Sequence, residues 1–237
     1  LERFHTHEYI ARVIEQSISG AGYLDNGDTP AFVGMFEAAC YVAGSVVDAI
    51  DRLMDGRNKR AFIPIAGLHH ARRDTAAGFC VINDCAIAIE TLFQKYHMQR
   101  IAYIDIDAHH GDGVYYSFEE DPRLIFVDMH EDGRFLYPGT GSISETGKGD
   151  AFGTKLNIPM PPQADDELFI RMWQQAEKFI DRHTPEFILF QCGADSLQGD
   201  PITDLAYSEK AHAHAATRLA KLADKHCNGK LLVMGGG

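Results

Sequence analysis

One run of residues, Ile101-Ala-Tyr-Ile-Asp-Ile-Asp-Ala-His-His-Gly-Asp-Gly113, most strongly constrains what this chain can fold into. The run begins with apolar, β-forming residues and ends in carboxylates, imidazoles and glycines. Side chains alternate between the two faces of an extended strand, which predicts that Asp105, Asp107 and His109 project to the same side. Aspartate is rarely buried unless it is paired or bound to a cation, so this set suits a divalent metal ion. The run therefore predicts a strand that ends in a metal site.

Predicted strands and helices alternate along the rest of the chain. Strands are expected at residues 61–65, 100–107, 124–129, 155–158, 187–192 and 230–234. Helices are expected at 6–19, from the Asp28-Thr-Pro30 start to about 50, and at 80–96, 166–182 and 208–226. This alternation is typical of an α/β fold in which helices cover both faces of a mostly parallel sheet. With no internal repeat or linker in the sequence, we interpret residues 1–237 as a single domain.

Polar residues follow most of the predicted strands, at the edge where open α/β sheets bind their ligands. Asp107, His109 and Asp195 are the best candidate metal ligands, because a hydrolytic zinc site has three protein ligands and one open position. This ligand set also leaves Fe(II), Mn and Co open. The alternative is that the aspartates cap neighbouring helices while His109 makes a structural hydrogen bond. We assign no role to His130, although it follows a predicted strand.

The tandem histidines His69 and His70 form a second candidate group. Imidazole titrates near neutral pH, so the pair could act as general acid and base. Each ring needs a partner that fixes its orientation, and Asp105 and Asp112 are the natural partners. A pair of histidines is otherwise more often structural. Histidines on or beside predicted helices, such as His5, are expected to face solvent.

Charge and cysteine content limit the classes of partner and compartment. A net charge of −12 argues against nucleic acid as a direct partner. No apolar run is long enough to span a membrane. Five cysteines without a C-x-x-C pair favour a reducing, cytoplasmic location. Both ends of the chain look truncated, and the oligomeric state is not indicated.

Six motifs, in order, resemble the zinc-dependent histone deacetylase family, which also includes acetylpolyamine amidohydrolases and acetoin-utilisation proteins. Their positions cover nearly the whole chain. They are Leu68-His-His-Ala71, Gly78-Phe-Cys-Val-Ile-Asn-Asp84, Asp105-Ile-Asp-Ala-His-His-Gly-Asp-Gly113, Tyr137-Pro-Gly-Thr-Gly141, Gly193-Ala-Asp195 with Gly199-Asp-Pro201, and Gly235-Gly-Gly237. The resemblance implies the arginase/deacetylase fold, a three-layer α/β/α sandwich with a mostly parallel central sheet.

The same resemblance assigns roles to individual residues. It implies that Asp107, His109 and Asp195 bind Zn²⁺, with Fe²⁺ or Co²⁺ as possible substitutes. It makes His69 and His70 the general base and acid pair, hydrogen-bonded to Asp105 and Asp112 respectively.

The resemblance also implies a substrate channel and a second ion. Gly78, Phe79 and Tyr137 would line the channel, and Asp28 would hold the substrate backbone. A potassium ion is expected near Asp105, Asp107 and His109. The substrate would be an acetylated lysine peptide or an acetylpolyamine.

Two departures from the family pattern stand out. Ala66-Gly67-Leu68 replaces the usual Pro-x-Gly before the histidines, and the tyrosine expected after Gly237 is not in the sequence. That tyrosine would stabilise the oxyanion. Two other classes of function stay open. One is a non-catalytic acyl-amide binding module. The other is a ureohydrolase-like manganese enzyme, which would need more aspartate ligands and no tandem histidines, so the histidine pair argues against it.

Overall fold

The computed structural model describes residues 1–236, so the end of the Gly-Gly-Gly motif at Gly237 lies outside the described residues. Helices and strands alternate as the sequence predicts. In chain order they are α1 (His7–Ser19), α2 (Met35–Met54), β1 (Arg60–Ile63), α3 (Asp84–Gln94), β2 (Ile101–Asp105), α4 (Asp112–Ser117), β3 (Leu124–Asp128), β4 (Lys155–Asn157), α5 (Asp166–His183), β5 (Phe187–Gln191), α6 (Glu209–His226) and β6 (Leu231–Met234).

The six strands form one sheet in the order β1-β6-β5-β2-β3-β4, and every neighbouring pair is parallel. The last residue of β2, Asp105, is in register with Gln191 of β5 and with Asp128 of β3. Three polar side chains therefore lie next to one another at the carboxyl edge of the sheet. The helices that follow β2 and β5 pack on opposite faces, so a crevice opens between these two strands.

Alternate residues along each strand bury against different helices. In β2, Tyr103 belongs to the apolar cluster that α2 and α3 cover, while Ile104 belongs to the cluster that α5 and α6 cover. The strands β2, β3 and β5 are buried along their whole length, as expected for parallel strands between two helical layers. The predicted three-layer α/β/α sandwich is confirmed.

The second predicted helix begins later than expected. Gly34, in a left-handed conformation with φ of 86°, precedes α2. Phe32 continues the apolar spacing of this helix in the sequence, but it lies before Gly34 and is 51% exposed. The segment before it forms a compact turn, because one carboxylate oxygen of Asp25 accepts the backbone N–H groups of residues 27 to 29. Asp28 therefore lies in this turn and does not begin a helix.

One further helix begins later than predicted, and one short helix was not predicted. The third helix begins at Asp84, where the Asn83 side chain caps it by accepting the N–H of Ala86, at 2.8 Å. The short helix α4 was not predicted, because its six residues, Asp112–Ser117, are too few to show an apolar stripe. Among residues 1–236, no helix combines the length and the apolar character needed to cross a lipid bilayer.

Candidate active site

Asp107, His109 and Asp195 meet at the carboxyl edge of the sheet. One potential ligand atom of each lies within 4.8 Å of the others. The Nδ1 atom of His109 is 2.7 Å from Asp195 Oδ2 and 3.2 Å from Asp107 Oδ1. Asp195 reaches this group from a single turn of 3₁₀ helix, Ala194–Ser196, which follows β5.

Contrary to the prediction from the alternation of side chains, Asp105, Asp107 and His109 do not lie together on one extended strand. Strand β2 ends at Asp105, so the two following ligand candidates do not belong to an extended strand. Asp105 Oδ1 accepts the N–H of Asp107, and Asp107 Oδ1 accepts the N–H of His109. In both bonds, an aspartate side chain accepts the N–H of the residue two positions later. Such bonds form turns, and these turns bring Asp107 and His109 together.

The donor set fits a divalent cation. Burial opposes the charged form of Asp107, but the adjacent His69 and His109 keep the pKa of this carboxyl well below its usual range. Burial and the charge of Asp107 raise the pKa of Asp195 to about 6. Two buried carboxylates this close repel each other, and a cation held between them and the imidazole would relieve that repulsion. This set matches a zinc, iron, manganese or cobalt site.

Gln191, for which no role was predicted, connects three parts of the site. Its side-chain nitrogen donates to Asp107 Oδ2 at 2.8 Å and to the carbonyl of Gly67 at 3.1 Å, while its oxygen accepts the N–H of Gly193 at 2.8 Å. It is fully buried. Its place at the end of β5, one strand from Asp105, was the signal that could have identified it.

The structure brings His69 and His70 together with both predicted carboxylate partners. His69 Nδ1 is 2.8 Å from Asp105 Oδ2, and His70 Nδ1 is 2.7 Å from Asp112 Oδ1. The Nε2 atoms of the two rings are 3.1 Å apart. All four side chains are buried.

The two histidines have opposite electrostatic surroundings. Burial disfavours the charged form of His69, yet the carboxylates of Asp105 and Asp107 raise its pKa well above the usual value. Burial, with the neighbouring His69, lowers the pKa of His70. A pair with one protonated and one neutral ring can accept a proton and donate another, which is what general acid–base chemistry requires.

A cavity of about 500 Å³ opens onto these groups. This volume is within the usual range for a small-molecule site. Nine of the eleven sequence-predicted site residues line the cavity, and the two that do not, Asp105 and Asp112, lie behind the histidine rings. Apolar residues complete the wall: Pro64, Ile65, Leu136 and Ile202.

The predicted channel residues lie at the mouth of this cavity. Phe79 is 67% exposed and has a φ of 64°, a conformation that costs energy in a residue with a side chain. Gly78 before it contacts His70 closely, since a Cβ atom there would lie 2.5 Å from His70 Cδ2. The rings of Tyr137 and His70 are 5.2 Å apart, edge to face. Asp28 lines the same cavity.

Of two other buried histidines, His5 differs from expectation and His130 makes contacts for which there was no prediction. His5 is 3% exposed, and its Nε2 accepts the N–H of Asn83, so the prediction that it faces solvent is wrong. His130, to which no role was assigned, is fully buried and contacts Asp128 at 2.7 Å and the carbonyl of Gly141 at 3.0 Å. It thereby ties the loop after Tyr137 to the edge of the sheet.

The chain is similar to known proteins over its whole length. A family model described as the histone deacetylase domain matches residues 1–237. The acetoin utilization protein AcuC of Bacillus subtilis is 38% identical over 248 residues, which cover 100% of this chain and 63% of that protein. A probable deacetylase of Archaeoglobus fulgidus is 37% identical over 232 residues, covering 97% of this chain and 63% of its own length.

Solved structures show the same similarity. A crystal structure of an HDAC homolog complexed with SAHA superposes with a TM-score of 0.90 at 32% identity, covering 100% of this chain and 64% of that one. A crystal structure of an HDAC homolog from Aquifex aeolicus superposes with a TM-score of 0.87 at 30% identity, covering 100% of this chain and 65% of that one. The chain thus spans about 63% of the length of the curated relatives it matches. It belongs to the histone deacetylase family.

Proposed function

We propose that the protein is a zinc-dependent hydrolase that removes an acetyl group from the amide nitrogen of an acetylated lysine or an acetylated polyamine. The observation that carries this proposal is the hydrogen-bonded histidine pair beside three residues that could hold a metal ion, all of them lining one cavity. Family membership and the HDAC homolog that binds SAHA support an acyl-amide ligand.

Asp107, His109 and Asp195 would hold the ion. A divalent ion at this position would supply Lewis acidity for the amide carbonyl and for the attacking water. Zn²⁺ is proposed on the resemblance, with Fe²⁺ or Co²⁺ as substitutes, and the potassium ion near Asp105 stays a prediction.

His69 and His70 would transfer the proton from the water to the leaving amine. Their Nε2 atoms face each other, while Asp105 and Asp112 hold their Nδ1 atoms. We assign the pair to accept a proton from the attacking water and to return it to the leaving amine nitrogen. Asp105 and Asp112 orient the rings and stabilise the positive charge that develops on them.

The walls of the cavity would select an extended acyl-amine arm. Gly78, Phe79 and Tyr137 form the mouth, through which a chain of methylene groups could pass between aromatic rings. Asp28 lies near the same opening, where its carboxylate would accept the N–H groups of a substrate backbone or attract a polyamine.

The two alternatives make different demands on the site. A ureohydrolase-like manganese enzyme needs ligands for a second ion, whereas two of the nearby polar groups, His69 and Asp105, are hydrogen-bonded to each other. A non-catalytic binding module would keep the cavity and the metal but would not turn over substrate.

The free state of all five cysteines is compatible with the reducing location that we predict.

An assay of the full-length protein against an acetyl-lysine peptide and an acetylpolyamine tests this proposal. We expect one of the two substrates to release acetate, and we expect His70→Ala to abolish the release. Binding of both substrates without any turnover would instead favour the binding module. Undiminished turnover by His70→Ala would contradict the assigned mechanism.

A further inference from the structure

The motif Gly78 to Asp84 ends in two polar residues that the proposed reaction does not use. Asn83 and Asp84 are both completely buried, at 0% exposure, although neither contacts the metal-binding group or lines the cavity. Buried polar side chains of this kind are rare unless their hydrogen bonds are satisfied. Their partners therefore indicate what they do.

Asn83 binds the backbone on both sides of His70. Its side-chain nitrogen donates to the carbonyl of His69 at 3.1 Å and to the carbonyl of Ala71 at 2.9 Å. Its side-chain oxygen accepts the N–H of Ala86 and so caps α3. One side chain thus connects the carbonyl groups of the two residues that flank His70 to the first turn of a helix.

Asp84 binds the two residues that precede the histidines. Its Oδ1 accepts the N–H of Gly67 at 2.8 Å, and its Oδ2 accepts the N–H of Leu68 at 3.1 Å. Asp84 is the first residue of α3, where the helix dipole favours a negative charge. The carboxylate can therefore hold both N–H groups without a cationic partner.

Together these contacts hold the segment from Gly67 to Ala71 at four backbone groups. We infer that Asn83 and Asp84 are positioning residues, which place the backbone of His69 and His70 so that both rings meet their carboxylate partners and each other. The inference rests on the proposed roles of the two histidines. The rings alone would not fix this geometry, because Asp105 and Asp112 hold only their Nδ1 atoms.

Separating this positioning role from simple stabilisation of α3 requires a variant that keeps the helix cap. Asn83→Ser keeps a capping oxygen for Ala86 and removes the amide N–H₂ group that donates both bonds to the histidine segment. Asp84→Asn keeps the shape of the side chain but turns an N–H₂ group toward a backbone N–H. The control is Asp165→Ala, which removes the cap of α5, where Asp165 accepts the N–H of Leu168 far along the chain.

The test is carried out on the full-length protein. We expect Asn83→Ser and Asp84→Asn to lower kcat by about 10²-fold, the scale of a displacement near 1 Å, with KM and metal content little changed. We also expect both to shift or broaden the downfield proton resonances of the imidazole N–H groups that face Asp105 and Asp112. Asp165→Ala should lower the melting temperature without either effect.

The inference is overturned if the two variants match Asp165→Ala in kcat and in the imidazole resonances. If Asn83→Ser does not fold, Asp84→Asn decides the question alone, because it leaves the cap of α3 in place. If the wild-type protein shows no turnover, the proposed function fails, and the resonances still report whether Asn83 and Asp84 position the rings.

Discussion

The Nε2 atoms of His69 and His70 are 3.1 Å apart, and the Nδ1 atom of each ring contacts a buried carboxylate. When each Nδ1 atom donates a hydrogen bond to its carboxylate, the hydrogen bond between the two Nε2 atoms requires one further proton. The pair therefore behaves as a unit that holds one exchangeable proton. This arrangement underlies the first two predictions.

Replacing the carboxylate behind His70 should slow the reaction. Asp112→Asn keeps the size of the side chain but removes the negative charge that stabilises the imidazolium form of His70 and fixes the tautomer of the neutral ring. We expect kcat to fall by about 10–100-fold, with little change in KM. The exposed Asp150→Asn is the control in the same steady-state assay, and equal rates for the two variants would refute a role for Asp112.

Gly78→Ala should disturb His70 through direct contact. A Cβ atom at Gly78 would lie 2.5 Å from His70 Cδ2, which forces the ring to move. Gly149 has a similar φ, 54° against 50°, and no atom within 4 Å of its added Cβ. Gly149→Ala therefore carries the same backbone strain without the clash. We expect kcat to fall only in Gly78→Ala, and an equal fall in both variants would show that strain alone matters.

Gln191→Leu should weaken metal binding. The substitution removes the hydrogen bond to Asp107 Oδ2 and leaves the N–H of Gly193 without its acceptor. We expect affinity for Zn²⁺ to fall by about 10–100-fold, measured by competition with a chromogenic chelator. The exposed Gln174→Leu serves as the control. Unchanged affinity for Zn²⁺ would mean that Gln191 does not orient Asp107 for metal binding.

A pH-dependent contribution to stability is expected from Lys155, far from the site. This side chain is 1% exposed, and its Nζ donates to the carbonyls of Asp121 and Leu124 and to the Thr154 hydroxyl, all of them uncharged acceptors. Burial lowers the pKa of Lys155 from 10.5 to about 7. The unfolded chain binds this proton more readily than the folded protein between these two values, so this contribution to stability rises with pH across that window.

The slope from one such proton is at most about 1.4 kcal/mol per pH unit. Urea unfolding between pH 7 and pH 9 should show that Lys155→Met loses part of the increase in stability with pH. The exposed Lys59→Met should keep it. Parallel pH profiles for Lys155→Met and the wild-type protein would contradict the lowered pKa.

Sequence periodicity predicted the architecture well, because each strand and long helix has its own apolar pattern. All six predicted strands are present, and the order of elements specified helices on both sides of a parallel sheet. The start of α2 was missed because Phe32 continues the apolar stripe, while the left-handed Gly34 interrupts the helix. Apolar spacing does not report such a backbone conformation.

The candidate site was predicted in composition more than in geometry. The eleven predicted site residues lie around one cavity or directly behind it, but the contact between Asp107 and His109 arises from turns and not from an extended strand. Gln191 was missed although its position near the end of a predicted strand pointed to it. Asn83 and Asp84 were missed as contributors because they bind backbone groups of a distant segment. Such long-range partners leave no local pattern.

The most direct test of the proposed chemistry is acetate release from an acetyl-lysine peptide or an acetylpolyamine by the full-length protein, before and after complete removal of metal. The account predicts release by the untreated protein, loss of it after chelation, and recovery when Zn²⁺ is added back to the wild-type protein but not to Asp107→Ala. Full activity in protein shown to be free of metal would contradict it.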